Sequence, residues 1–116
     1  MMNKQQAIDH LTNMRDAASA GLERFRKNLH ESPLYAMEWS ERHFRDAALL
    51  AISEDALAML RDVDATDESV DRMVNHFTRQ AFHAARYPSR STSATSNLAA
   101  QAKAEVYAEL AESIGR

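Results

Sequence analysis

Arg72, His76, Arg79, His83 and Arg86 stand four, three, four and three residues apart. At about 100° per residue this spacing places all five on one narrow helical face. Guanidinium groups bind carboxylates and phosphates through a planar fork. Imidazoles add positive charge below about pH 6.5. The chemistry on offer is recognition of an acidic partner, and Arg90 extends the patch just past the helix end. The same face also serves as an ordinary solvated side, where Glu68, four residues before Arg72, can pair with it. A rival surface runs from Glu54 to Asp71, which holds seven acids and one base, Arg61. Within it Asp62, Asp64, Asp67 and Glu68 form an alternative acidic surface, spaced to mimic phosphates toward a basic partner. Helix N-terminal charge preference also accounts for Asp67 and Glu68.

Other chemistries find little support. Cysteine is absent, so no disulfide, thiolate nucleophile or cysteine metal site is available. His76 and His83 lie two turns apart, about 10.5 Å, too far for one ion. No histidine stands three or four residues from another, and none follows a glutamate in the Glu-x-x-His manner. Asp62, Asp64 and Asp67 lack the glycine and closing glutamate of a calcium loop. Ser89 to Ser96 is rich in hydroxyls but lacks the glycines of a phosphate-binding loop. No catalytic residue, metal or cofactor is expected. His10, His30 and His43 read as isolated surface or capping groups, and Trp39 as a packing residue or an aromatic anchor. A net charge of −3 argues against general nucleic-acid binding. A regulator that touches nucleic acid through the basic stripe remains the alternative.

The elements that must hold these residues are helices. Glycine and proline occur only twice each in 116 residues, too few for the turns of a sheet. The expected architecture is all-α, a single domain of four helices over about 4–30, 33–62, 67–86 and 98–114. Ser32-Pro33, Thr66 and Ser96 or Asn97 are the expected start signals. A break at Ser53 would make five helices, but the apolar rows of the second helix carry through it. Those rows run from Met37, Phe44, Ala48 and Ala51 into Leu49, Ile52, Ala56, Met59, Leu60 and Val63. Ala17, Ala18, Ala20 and Gly21 form a small-residue stretch that would let another helix approach closely or would loosen its own. The first two helices, about 40–45 Å long, exceed a compact globule with a radius of gyration near 14 Å. Either these helices break, at Gly21 or Ser53, or the bundle is somewhat elongated, and an elongated bundle is expected to expose apolar seams and to dimerise. No stretch approaches the roughly 20 apolar residues of a membrane span. Met1 to Gln6 lack the apolar run of a signal peptide, so a cytoplasmic protein is expected.

Two stretches carry a family resemblance: Leu34-Tyr35-Ala36-Met37-Glu38-Trp39-Ser40, and Tyr87-Pro88 through the hydroxyl-rich run to Asn97-Leu98. Together they resemble segments of small proteins encoded by phages and prophages of proteobacteria. The resemblance implies no catalytic residue. It implies a non-enzymatic accessory protein that binds a host protein, such as a nucleic-acid-handling complex, and inhibits or redirects it, as anti-CRISPR proteins do.

Overall fold

The computed structural model describes residues 1–29, 33–88, 90 and 93–116. His30, Ser32, Ser89, Ser91 and Thr92, and the side chains of Tyr35 and Met37, lie outside the described residues. Four helices account for nearly all of the rest, and the described residues contain no strand. They are α1 (Lys4–Leu29), α2 (Pro33–Leu60), α3 (Asp67–Arg86) and α4 (Ala94–Gly115).

Local chemistry starts α1, α3 and α4 where unpaired N–H groups find oxygens. Before α1, Asn3 Oδ1 accepts from the Gln6 N–H at 2.8 Å, and Gln6 Oε1 accepts from the Asn3 N–H at 3.0 Å. Before α3, the N–H of Thr66 donates to Ser69 Oγ at 2.9 Å. Before α4, Ser93 Oγ accepts from the Ser96 N–H at 3.2 Å. The last helix thus begins at Ala94 rather than near 98, because Ser93 is the cap and Ser96 lies in the first turn. At the other end of α2 the chain leaves the helix after Leu60, slightly earlier than the apolar rows suggest. Val63 then falls in a turn, and both Val63 and Met59 are exposed. Neither Gly21 nor Ser53 breaks its helix.

The helices run up, down, up, down. The N–H of Met2 donates to the Ile114 carbonyl at 3.0 Å, and the N–H of Lys4 donates to Asp67 Oδ1 at 2.8 Å. The start of α1, the start of α3 and the end of α4 therefore share one end of the bundle. The end of α1, the start of α2, the end of α3 and the start of α4 lie at the opposite end. α1 packs along α2, α2 along α4 and α4 along α3, while α3 meets α1 and α2 only briefly. Overall dimensions are 46 × 32 × 21 Å with a radius of gyration of 15.4 Å, so the bundle is longer than a compact chain of this size.

The core gathers toward the end where the termini meet. Leu11, Leu57, Leu60, Val70, Met73, Val106, Leu110 and Ile114 are all essentially solvent-free. Toward the connection end burial falls away, and Leu29, Leu34, Phe82 and Tyr87 stand exposed. Among the described residues no helix is long and apolar enough to cross a membrane.

Candidate functional site

α3 carries the basic stripe as its spacing predicts. Val70, Met73, Val74 and Phe77 are buried, and Arg72, His76, Arg79, His83 and Arg86 are all exposed. Arg90, past the helix end, is exposed too. Ion pairs among the described residues join Arg15 to Asp16, Arg26 to Glu23, Arg45 to Glu109 and Arg116 to Glu112. None involves a residue of the stripe. Arg72 turns to Ser69 Oγ at 3.3 Å rather than to Glu68.

The stripe's neighbours are aromatic instead. The His83 ring lies 4.9 Å from that of Tyr87, and the Arg86 guanidinium lies 5.8 Å from the same ring. His76 meets the edge of Tyr107 at 6.3 Å. Burial and the nearby Asp55 push the Tyr107 phenol above its usual pKa. His83 and Tyr87 form a ridge between two open grooves. One is lined by Arg79, Phe82 and Arg86. The other is floored by alanines of α3 and α4, including Ala81, Ala84, Ala100 and Ala104. Phe82 is a contact-surface residue that the periodicity argument passes over. It lies five residues after Phe77, about 140° around the helix, so it had to point away from the core.

The acidic surface is partly consumed by the turn between α2 and α3. Asp62 Oδ1 accepts from the Asp64 N–H at 2.9 Å, and Asp67 Oδ1 accepts from Lys4 N–H. Lys4 Nζ closes the same region by donating to the Ala65 carbonyl at 2.9 Å. All four acids, Asp62, Asp64, Asp67 and Glu68, remain exposed. Among the described residues no group of three or more His, Asp or Glu is placed to hold a metal ion.

A second site has no counterpart in the sequence reading. Gly21 of α1 faces Asp46 of α2 so closely that a methyl group on Gly21 would lie 2.9 Å from Asp46 Cγ and would overlap its carboxylate oxygen. Asp46 is only 7% exposed. None of the ion pairs among the described residues includes its carboxylate. Burial raises its pKa above the ordinary aspartate value, although Arg42, Arg45, Arg24 and His43 pull the other way. The carboxylate lines a cleft of about 170 Å³ together with Arg24, Phe25, Trp39, Arg42 and His43. His43 is not a free surface group. Its ring stacks on Phe25 at 4.2 Å and meets Phe44 at 5.8 Å, and its Nδ1 is buried without a hydrogen-bond partner among the described residues. His10 is likewise engaged, with Nε2 3.0 Å from Ser113 Oγ across the α1–α4 contact.

Comparison of the chain with protein-family models, with curated proteins and with solved structures yields no match in any of the three. The reading of function therefore rests on the geometry above.

Proposed function

We propose that the chain is a non-enzymatic, phage-type accessory protein that docks on an acidic surface of a host protein and blocks it, in the manner of anti-CRISPR inhibitors. The contact face is the stripe of α3 with Arg90. One observation carries this reading: five basic or titratable side chains share an open helical face, and no carboxylate of the described chain neutralises them. A surface kept only for solubility normally mixes both signs of charge. The exposed rings of Phe82 and Tyr87 beside the stripe add the aromatic contact that interface centres favour. Asp62 and Asp67 of the rival surface each hold a backbone N–H, whereas Arg72 is the one stripe residue with a hydrogen bond among the described residues, which favours the basic face as the contact.

The test is affinity capture from a bacterial host lysate with the wild-type chain and with an Arg79→Glu, Arg86→Glu double variant. Both positions are exposed, so circular dichroism should report an unchanged helical fold. A partner retained by the wild type and lost by the variant is the expected result. Equal retention by both would remove the stripe from the contact. A gel-shift titration at low salt separates the nucleic-acid reading, which requires binding that weakens steeply as salt rises.

A further inference from the structure

We propose that the acidic element met by α3 is itself an α-helix, a reading that rests on the basic stripe as the contact face. This helix carries carboxylates in steps of three and four residues. It also carries an apolar residue at the end that meets Phe82 and Tyr87.

The rise of the stripe selects the partner's shape. Arg72, His76, Arg79, His83 and Arg86 stand four, three, four and three residues apart. At 1.5 Å per residue the row climbs about 21 Å, with one basic or titratable group every ~5 Å. A second helix repeats each face once per turn, every 5.4 Å, so acids on one of its faces meet the row group for group. A strand repeats each face every ~6.7 Å and falls about 6 Å out of step over the same four intervals. One strand of duplex DNA advances ~3.4 Å per phosphate, so alternate phosphates slip by nearly as much. The net charge of −3 also opposes a polyanion as long as DNA.

The surroundings of the stripe give the partner a direction. At the Arg72 end its neighbours are Ser69, Asp71 and Asn75, all polar. At the Arg86 end Phe82 and Tyr87 flank it and are 66% and 62% exposed. Apolar contact is therefore on offer at one end only. The Arg86 guanidinium lies 5.8 Å from the Tyr87 ring, which holds it near the face in advance of binding. The open groove beside Phe82 and Arg86 gives an apolar side chain a seat next to a cation.

The test uses synthetic peptides on the intact protein. Two alanine-rich peptides share one composition, with five glutamates and a leucine at each end. The first places its glutamates in steps of four, three, four and three, and the second at every other residue. A third is the first with a proline in place of an alanine near its centre, which breaks the helix at unchanged charge. Each is labelled and titrated by fluorescence anisotropy at low salt, beside a labelled DNA duplex. The stepped peptide should bind about tenfold tighter than either of the others, because several exposed ion pairs form together, and tighter than the duplex. Phe82→Ser should weaken the stepped peptide severalfold and leave the alternating one unchanged. Thermal melting checks that this variant is folded. Equal binding of the stepped and alternating peptides, a proline without effect, no binding of any peptide, or a tighter duplex overturns the helical partner. Phe82→Ser binding that matches the wild type overturns the apolar end. The contact face itself fails by a separate result, equal retention of a lysate partner by the wild type and the Arg79→Glu, Arg86→Glu variant.

Discussion

Ser53 lies wholly inside the bundle, and its hydroxyl has no hydrogen-bond partner among the described residues. A buried polar group left unpaired costs on the order of 1–3 kcal/mol, and alanine is also the better helix former. Ser53→Ala should therefore raise the free energy of unfolding by about 1 kcal/mol in a urea titration; a loss would mean that the hydroxyl does bond in solution. Asp46 is a different case, because its cost depends on pH. Its folded pKa stands above the ordinary value, so the folded chain holds this proton more tightly than the unfolded chain. The associated stability is complete below the unfolded value and is lost as pH rises through the folded one. The groups facing it are Arg24 on α1 and Arg42, His43 and Arg45 on α2. Asp46→Asn should melt above the wild type near pH 7, and the gap should close at about pH 3. A gap that widens toward acid would reverse the sign assigned here.

The α1–α2 contact depends on one missing side chain. In an isolated helix Gly21→Ala would be worth about 1 kcal/mol in propensity. Here the methyl would strike the Asp46 carboxylate, and overpacking of this kind typically costs about 1–3 kcal/mol. The variant should therefore be less stable than the wild type, and adding Asp46→Ala should restore stability. A double-mutant cycle by thermal melting measures the coupling, and additive effects would mean that the two residues do not meet. How much of this was legible in the sequence follows from the range of each signal. The bounds and the stripe of α3 were legible, because its cap and its basic row lie within one continuous segment, whereas its exposed Phe82 was passed over. The Ala17–Gly21 stretch signalled close approach but not what approaches. Asp46 has no signal of its own in the sequence, since it packs on a glycine of a different helix. His43 read as isolated for the same reason: its stacking partner Phe25 is on α1. The early start of α4 was hidden because Ser93 competes with several neighbouring hydroxyls of equal capping power.

At the scale of the molecule the packing is uneven. The end holding Leu11, Leu57, Met73 and Leu110 is solvent-free, while Leu29, Phe82 and Tyr87 mark a thinly covered opposite end. Local opening follows local burial. Amide hydrogen exchange should be slowest around those four buried residues and fastest in the last turns of α1 and α3. Uniform protection would contradict the gradient. The proposed contact surface thus grades from a rigid base at Arg72 to a pliant tip at Arg86. The hydrogen bond between Met2 and Ile114 has one more consequence. Because those two positions touch, a short flexible bridge can splice them, and the chain can be reopened in the exposed turn at 62–64. Such a circular permutant should keep its helical spectrum, and it would bring a fused reporter to that turn without shadowing the α3–α4 tip.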